Sequence, residues 1–283
     1  MELLLGIIAV AALFFLAVMA VDCNRFVIRE YTCTSDKLKK DGDFILLSDL
    51  HGKSFGRDNE KLLKAIEQLS PDVILIAGDM YTADRNVDNS KIAGFISRLA
   101  DVYPVYYGVG NHEHKTRLFP ETFGNMYEEY MDEIKRAGAV ILVNERVSLP
   151  AYGIELYGVE IDREYYAKIH SKNMDDTYLP RLLGDAVPDT FNLLIAHNPD
   201  YFKEYVRWGA DLVAAGHVHG GLMRLPILGG VVSPRLTLFP YYDGGEFKEG
   251  PSRMILSRGL GFHTLPIRIF NPGELVVVHL RKG

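Results

Sequence analysis

Short apolar runs that stop at Asp, Asn or His recur along the chain. They occupy residues 44–51, 73–79, 105–112, 191–197 and 212–219. Their apolar positions are consecutive rather than alternate, which is typical of strands buried on both faces. Segments with apolar residues at helical spacing lie between these runs. The alternation of strands and helices predicts an α/β domain.

The clearest predicted helices occupy residues 59–69, 90–100 and 123–138. We expect Asp58 or Asn59 to cap the first helix and Gly138 to end the third. Residues 253–261 and 274–280 are again rich in apolar side chains and predict two further strands near the C-terminus.

The N-terminal segment has a different pattern from the rest of the chain. Residues 3–21 are uninterruptedly apolar, which is about the length that spans a bilayer as a helix. We predict a single-pass membrane anchor over residues 1–22, a charged linker over residues 23–42 and one globular domain over residues 43–283. A cleaved signal peptide is the alternative, because residues 18–20 resemble a cleavage site, but no Lys or Arg precedes the run.

Basic residues follow the apolar segment, and they predict its orientation. They are Arg25, Arg29, Lys37, Lys39 and Lys40. Because basic residues flank the cytoplasmic end of a membrane span, the globular domain is expected on the cytoplasmic face of the cell membrane. The extracytoplasmic face stays open as the alternative, together with cleavage.

Composition narrows the functional classes. The 283 residues are 48% hydrophobic, which supports one globular body with a sizeable core. The net charge of -6, with basic and acidic residues mixed, leaves no basic stripe for a nucleic-acid partner. The two cysteines, Cys23 and Cys33, indicate neither a thiolate zinc site nor a disulfide framework. A metal in this protein would therefore use oxygen and nitrogen ligands.

The polar residues that end the strands form a candidate metal-binding set. Ligands of open α/β sheets bind beyond the carboxyl ends of the strands, so these side chains are expected to converge. The set comprises Asp49, His51, Asp79, Asn111, His197, His217 and His219. It suits two divalent ions of the Mn, Fe or Zn type. Taken singly, each residue also has an ordinary explanation, such as a turn-forming Asp or a His that bonds a nearby carbonyl.

Residues 216–219 offer a more specific signal. We expect an extended segment here, in which alternate side chains point the same way and the glycine relieves crowding. His217 and His219 would then face one site.

The series Asp49-Leu-His51, Gly78-Asp79, Gly110-Asn111-His112-Glu113, His197 and Gly216-His217-Val218-His219 resembles the calcineurin-like metallophosphoesterases. This resemblance implies a four-layer α-β-β-α sandwich of two mixed sheets. It also implies that Asp49, His51 and His219 hold one metal ion, while Asn111, His197 and His217 hold the other. Asp79 would bridge the two ions.

The resemblance further implies the hydrolysis of a phosphate ester by hydroxide that the two ions generate. His112 would protonate the leaving oxygen and Glu113 would support the site, whereas His114 is expected to be a solvated loop residue without a role. Protein phosphatases of the family carry a Gly-Asp-x-x-Asp-Arg block. Here Asp84 and Arg85 come two residues later, so the orienting carboxylate and the phosphate-binding Arg are out of register. This departure disfavours a Ser/Thr protein phosphatase.

The C-terminal segments are similar to the membrane-anchored bacterial branch of the family. That branch includes UDP-diacylglucosamine pyrophosphatases of lipid A synthesis and envelope phosphodiesterases. Residues 162–185 and 223–245 are candidates to shape a pocket for acyl chains beside a phosphate; in the second segment the contributing residues are Arg224, Ile227, Leu228, Val231, Val232, Arg235, Leu238 and Phe239. The alternative for residues 223–245 is a hydrophobic hairpin that covers the sheet.

The sequence thus predicts a membrane-bound hydrolase of a phosphodiester or pyrophosphate, with a phosphorylated small molecule or lipid as substrate. A broad phosphodiesterase or phosphomonoesterase of the envelope is the alternative. A serine hydrolase is disfavoured because we expect no Gly-x-Ser-x-Gly elbow and because Ser48 lies inside the metal motif. A noncatalytic scaffold is disfavoured because all the ligands are present.

Overall fold

The computed structural model describes residues 1–167, 172–225, 227–232, 238–262 and 266–283. The helices of this part are α1 (Glu2–Asp22), α2 (Glu60–Leu69), α3 (Ser90–Ala100), α4 (Asn111–Leu118), α5 (Pro120–Phe123), α6 (Met126–Arg136), α7 (Tyr178–Leu183) and α8 (Phe202–Trp208). Its strands are β1 (Phe26–Ser35), β2 (Gly42–Leu47), β3 (Val73–Ala77), β4 (Val105–Gly108), β5 (Val140–Leu142), β6 (Glu145–Leu149), β7 (Ile154–Val159), β8 (Phe191–Ala196), β9 (Leu212–Ala215), β10 (Met223–Leu225), β11 (Gly229–Val232), β12 (Gly245–Glu249), β13 (Ser252–Leu256) and β14 (Gly273–Lys282).

The strands form two mixed six-stranded sheets and a small hairpin. The first sheet has the order β1-β14-β2-β3-β4-β5, and its neighbouring strands are parallel except for β14 against β2. The second sheet has the order β12-β13-β9-β8-β7-β6, with antiparallel pairs at both edges and parallel pairs between them. Strands β10 and β11 pair only with each other among the named strands.

Consecutive apolar residues in the central strands serve both faces of each sheet. In β2, Phe44 and Leu46 belong to the core between the sheets, whereas Ile45 and Leu47 pack with the residues of α2, α3 and α6. Strand β8 behaves in the same way, because alternate residues face the first sheet and the layer of α7 and α8. The result is the predicted four-layer sandwich of two sheets flanked by helices, which confirms the expected fold class.

Three local predictions differ from the structure. The helix expected over residues 123–138 begins only at Met126, because Gly124 adopts a left-handed φ of 62° and separates α6 from the short helix α5 that ends at Phe123. Asn59 does not cap α2 with its side chain; its Oδ1 accepts a hydrogen bond from the Phe55 backbone N–H at 2.8 Å instead. Residues 23–42, predicted as a linker, contain strand β1, which pairs in parallel with β14. Most of its side chains are exposed or half-buried, so its sequence has the polar character of a linker.

Helix α1 is long and apolar enough to cross a membrane by length and composition, with a mean hydropathy of 2.9. Nearly all its side chains are exposed, but its C-terminal end contacts the domain. The Asp22 carboxylate accepts hydrogen bonds from the Arg25 side chain at 2.9 Å and from the Asn271 backbone N–H at 3.0 Å. Cys23 and Cys33 are buried free thiols.

Candidate metal centre

The candidate ligands lie where the central strands of both sheets end. Asp49 and His51 follow β2, Asp79 follows β3, and Asn111 begins α4 just beyond β4. From the second sheet, His197 follows β8 directly, while His217 and His219 follow β9. The parallel strands therefore deliver side chains that are up to 170 residues apart in sequence (49 to 219) to one edge of the sandwich.

Two carboxylates stand at the centre of this cluster. The Asp79 Oδ2 atom lies 3.2 Å from His197 Nε2 and 3.8 Å from His51 Nε2. The Asp49 Oδ1 atom lies 3.4 Å from His219 Nε2 and 3.9 Å from His51 Nε2.

These contacts divide the cluster into overlapping groups. The ligand atoms lie within 4.8 Å of one another in Asp49–His51–His219, in Asp79–His197–His217 and in His51–Asp79–His112. The first group contains the three residues that the resemblance implied for one ion. The second group contains His197 and His217 of the other implied set together with Asp79, but not Asn111. Asp79 is also within reach of His51.

The chemistry of these side chains fits divalent cations. The Asn111 Oδ1 atom is buried and has no hydrogen-bond partner among the described residues, which is costly unless another group binds it. The Nε2 atoms of His51 and His219 face each other at 3.2 Å. Imidazole nitrogens together with carboxylate and amide oxygens are the ligands that Mn, Fe and Zn accept. These residues therefore suit the metals that the family requires.

Five candidate ligands have backbone conformations that non-glycine residues rarely adopt, and these conformations direct their side chains toward the cluster. Each has a left-handed φ, namely Asp49 at 52°, His51 at 48°, Asp79 at 52°, His217 at 78° and His219 at 54°. Each such residue costs about 1–3 kcal/mol, and such strain concentrates at functional sites. The extended segment predicted for residues 216–219 is therefore wrong. A hydrogen bond from Val218 N to Gly216 O at 3.0 Å closes a tight turn there. This turn brings the His219 side chain to Asp49 and the His217 side chain to Asp79 and His197.

Two glycines permit the close approach of the loops. A Cβ atom on Gly216 would lie 1.9 Å from Ser48 Oγ and 2.4 Å from Asp49 Oδ2. A Cβ atom on Gly110 would lie 2.2 Å from Asp79 Oδ1. Larger residues at either position would displace a carboxylate of the centre.

A buried glutamate ties the Asp79 loop to helix α4. The Glu113 carboxylate accepts hydrogen bonds from the backbone N–H groups of Asp79 and Gly110 at 2.9 Å and of Met80 at 3.0 Å, and from the Tyr107 hydroxyl at 2.7 Å. These contacts give Glu113 the supporting position that was predicted for it.

Asp49 has its own hydrogen-bond donors. The Ser48 hydroxyl donates to Asp49 Oδ2 at 2.5 Å, and the His217 backbone N–H lies 3.0 Å from both carboxylate oxygens. Ser48 is not among the predicted site residues, although a hydroxyl next to a ligand carboxylate is a signal that the sequence contains.

Electrostatic coupling among the buried groups is strong. Burial raises the pKa of Asp49 to about 6, and the neighbouring Asp79 charge adds to this rise. Burial also acts to raise the pKa of Asp79, but His197, His112 and His51 outweigh it and hold that pKa well below its usual value. Burial lowers the pKa of His197, yet Asp79 and Asp49 overcome this and raise it to about 9. The carboxylates thus attract positive charge, which protons or cations supply.

His112 lies beside this cluster, and its hydrogen bond fixes which ring nitrogen carries the proton. Its Nδ1 atom accepts a hydrogen bond from the Ala83 backbone N–H at 2.9 Å, and its ring lies 4.7 Å from that of His51. A ring nitrogen that accepts cannot carry the proton, so the neutral imidazole holds its proton on Nε2. Burial lowers the pKa of His112, which favours this neutral form, while Asp79 opposes the shift.

The predicted roles of Asp84 and Arg85 are not supported by their positions. Both residues are exposed, and Asp84 Oδ1 accepts from Asn86 N at 2.9 Å within its own turn. The group that contacts His112 Nδ1 is the backbone N–H of Ala83, one residue earlier. The backbone N–H of Ala83 therefore contacts His112 at the position where the Asp84 carboxylate was predicted to orient the ring.

Two further side chains differ from their predictions. His114 was expected to be a solvated loop residue, which is wrong: it lies in α4, is 6% exposed, and burial lowers its pKa. Arg224 forms a salt bridge with Asp243 at 3.0 Å and donates to the Gly220 carbonyl at 3.1 Å, so it braces the loop after His219. Arg235 lies outside the described residues.

The C-terminal loop contributes two residues that sequence reasoning missed. The Asn271 side-chain amide donates to the carbonyls of His219 at 2.7 Å and Gly221 at 2.8 Å. The buried Arg268 guanidinium donates to the carbonyls of Gly259 and Gly261, in the loop that covers Asp49. An Asn-Pro turn signal and a charge within an apolar stretch were readable hints for these two residues.

A serine nucleophile does not fit the structure. A Gly-x-Ser-x-Gly sequence is present at residues 52–56, but Ser54 is exposed in a loop well beyond the end of β2 at Leu47. The serine-hydrolase elbow requires a sharp turn directly between a strand and a helix. The serine hydrolase alternative is therefore excluded for this motif.

The site and fold are those of a metal-dependent phosphoesterase of the calcineurin type. The family model described as calcineurin-like phosphoesterase matches residues 42–221, and the chain belongs to this family. A metallophosphoesterase of Campylobacter jejuni is 30% identical over 252 residues, covering 86% of this chain and 60% of that protein. The phosphodiesterase YaeI of Escherichia coli is 30% identical over 230 residues, covering 77% and 74% respectively. A zebrafish protein named as a transmembrane protein with a metallophosphoesterase domain is 25% identical, covering 84% and 53%.

Proposed function

We propose that the protein is a membrane-anchored phosphoesterase that uses two divalent cations to hydrolyse a phosphodiester or pyrophosphate on a lipid-linked substrate. The observation that carries this proposal is the buried cluster around Asp79 and Asp49, in which three overlapping groups of ligand atoms each lie within 4.8 Å. Family membership supports the reaction class, because the matched family consists of phosphoesterases.

The proposed ligand assignment is the one that the resemblance implies. Asp49, His51 and His219 would hold one cation, and Asn111, His197 and His217 would hold the other. The Asp79 carboxylate contacts residues of both sets, His51 and His197. When bound, two ions of the Mn, Fe or Zn type supply a nucleophile by lowering the pKa of water, and they neutralise phosphate oxygens.

His112 is proposed as the proton donor to the leaving oxygen. The Ala83 N–H fixes the neutral ring through Nδ1, so the Nε2–H is the group that can donate a hydrogen bond to the leaving oxygen. Full transfer of a proton requires the imidazolium form, in which Nδ1 also carries a proton and no longer accepts from Ala83. A positioned donor of this kind contributes about 10²- to 10⁴-fold to a rate. Glu113 holds Asp79 and the start of α4 in register, and thereby positions His112.

The lipid-linked substrate is inferred from the position of the site. Asn271 bonds both Asp22, at the end of α1, and the carbonyl of His219. A membrane-spanning α1 would therefore hold the site next to the lipid headgroups and raise the local concentration of lipid phosphates. A UDP-diacylglucosamine-type pyrophosphate is the specific candidate, and the basic residues after α1 support a cytoplasmic face.

The name of the Escherichia coli relative supports a second candidate, a broad phosphodiesterase of the cell envelope. Both candidates share the same metal centre and the same attack on phosphorus. They differ in whether the leaving or retained group is anchored in the bilayer, so substrate assays separate them.

The test uses full-length protein in detergent micelles. Its metal content is measured by elemental analysis after supply of Mn, Fe and Zn, and turnover is measured on a chromogenic diester and on a UDP-diacylglucosamine-type lipid. Asp79→Asn should abolish chelator-sensitive turnover, whereas the exposed Asp84→Asn should retain it. A protein that binds no metal and shows no turnover would refute the proposal that it is a metal-dependent phosphoesterase. Turnover of the diester alone would favour the broad phosphodiesterase.

A further inference from the structure

The C-terminal end of α1 is joined to the metal centre through a single residue. Asn271 donates its backbone N–H to Asp22 Oδ2 at 3.0 Å, and its side-chain amide donates to the His219 carbonyl at 2.7 Å. Asp22 and Asn271 are both buried, so this connection is shielded from solvent. The orientation of α1 relative to the site is therefore set by direct hydrogen bonds.

Phe270 lies against the part of α1 that precedes this connection. Its ring centroid is 6.3 Å from those of Phe14 and Phe15, and the residue is 42% exposed. Phe15 precedes Asp22 by seven residues, which is about 10 Å along a helix axis. If α1 spans a bilayer, as the proposed function holds, Phe270 lies at the depth of the acyl chains.

A hairpin extends from the same place. The Arg224 N–H donates to the Ile269 carbonyl at 3.0 Å, so β10 lies beside the residue that precedes Phe270. At the tip of the hairpin, Ile227 and Leu228 are 106% and 60% exposed.

Leu238 and Phe239 lie beside the second strand of the hairpin, where Leu238 forms an isolated antiparallel bridge with Val232. The Phe239 N–H donates to the Val231 carbonyl at 2.9 Å, and Leu238 and Phe239 are 66% and 57% exposed. The earlier idea that this region covers the sheet is therefore wrong for these side chains. Large exposed apolar patches on proteins mark surfaces that contact apolar partners.

The β10–β11 hairpin is polar at its base, whereas its tip is apolar. Arg224 pairs with Asp243 at 3.0 Å and contacts the Gly220 carbonyl, one residue after His219. This order places charged groups between the metal centre and the apolar tip. The same gradient from charged to apolar groups occurs at the surface of a lipid leaflet.

We infer that the apolar flap, defined as Ile227, Leu228, Leu238, Phe239 and Phe270, inserts into the lipid leaflet beside α1. The inference rests on the proposed anchoring of α1 and adds a second membrane contact to it. The flap and α1 together hold the mouth of the metal centre at the headgroup layer. A lipid phosphate then reaches the metal centre while its acyl chains stay in the leaflet.

Depth-dependent fluorescence quenching tests this placement. Trp208 is the single tryptophan of the chain, so a full-length Trp208→Phe background accepts one new tryptophan at a time. Leu228→Trp, Phe239→Trp and Phe270→Trp report on the flap, and Phe14→Trp reports on α1. Val102→Trp is the matched control, because Val102 is 69% exposed and lies at the end of the first sheet opposite the metal centre.

The probes are read in vesicles of phosphatidylethanolamine and phosphatidylglycerol that contain phosphatidylcholine with brominated acyl chains. We expect the three flap probes to be quenched as strongly as Phe14→Trp, and Val102→Trp to be unaffected. Quenching at Phe14 without quenching at the flap would overturn the inference and leave the anchor intact, including the case in which a second copy of the chain covers the flap. No quenching at Phe14 would refute the anchor itself.

A kinetic comparison gives an independent readout. The double change Leu228→Ser with Phe239→Ser should lower turnover of a vesicle-embedded lipid pyrophosphate by at least about tenfold, because two apolar side chains that the leaflet would bury are lost. Turnover of a soluble chromogenic diester should be unchanged, which also shows that the variant folds. Val102→Ser should affect neither substrate. An equal loss on both substrates would contradict a membrane role for the flap.

Discussion

Replacement of Glu113 by Gln is the sharpest test of how the centre is held together. The Glu113 carboxylate accepts three backbone hydrogen bonds and one from the Tyr107 hydroxyl, all at 2.7–3.0 Å. A glutamine side chain has one acceptor oxygen in place of two. Its NH₂ group must therefore face donors that previously had an acceptor.

The size of the effect follows from these contacts. If the glutamine oxygen keeps Asp79 and Gly110, its NH₂ group faces the Met80 N–H, while the Tyr107 hydroxyl rotates to accept. A hydrogen bond to a charged acceptor contributes about 1.5–3 kcal/mol, and an unsatisfied buried donor costs about 1–3 kcal/mol. We expect Glu113→Gln to lower the free energy of unfolding by about 2–5 kcal/mol.

Urea unfolding of the detergent-solubilised full chain, followed by Trp208 fluorescence with chelator present, measures this change. Glu129→Gln is the matched control, because Glu129 is exposed on α6 and should change the free energy of unfolding by less than about 0.5 kcal/mol. A Glu113→Gln variant as stable as this control would show that the four contacts do not stabilise the fold as argued.

The remaining predictions concern the centre itself. His112→Ala should retain both metal ions by elemental analysis but lose about 10²- to 10⁴-fold in turnover, and equal activity would remove His112 from the mechanism. A cation must replace the proton that Asp79 and Asp49 hold on His197 up to about pH 9. Calorimetry in two buffers should therefore show about one proton released near pH 7.5 for each pair of Mn²⁺ ions bound, from the ion that binds His197, and the affinity for that ion should fall about tenfold per pH unit below this pH; binding without proton release would be inconsistent with this. Gly216→Ala should abolish metal binding, because the added Cβ meets Ser48 Oγ at 1.9 Å, whereas Gly94→Ala meets nothing within 4 Å and should bind normally.

The site residues at the ends of the apolar runs could be predicted from the sequence, because buried parallel strands end at the same edge of a sheet. Consecutive apolar residues require strands that are covered on both faces, and β2, β3, β8 and β9 are covered in this way. Parallel neighbours then bring their carboxyl ends to one edge. Asp49 and Asp79 become neighbours in this way, whereas His197 joins them because the second sheet packs against the first.

Other features were decided by contacts between distant segments. The polar sequence of β1 reads as a linker, and only its pairing with β14 makes it a strand. His114 is buried because α4 packs against the segment that follows β7, which a local reading of polar residues does not reveal. The Ala83 N–H that orients His112 belongs to a backbone group, and such groups carry no signature in the sequence.

The sequence by itself determined the chemistry of the site, because side-chain type and the ends of apolar strands are local properties. Tertiary structure alone decided the left-handed turns that orient five of the ligands. It also decided the close approach of the loops at Gly110 and Gly216, where a Cβ atom would lie less than 2.5 Å from a neighbouring side chain. The hydrogen bonds by which Asn271 connects the end of α1 to His219 were decided in the same way. Each of these depends on where two remote segments touch, and pairwise distance is not encoded in any single stretch of residues.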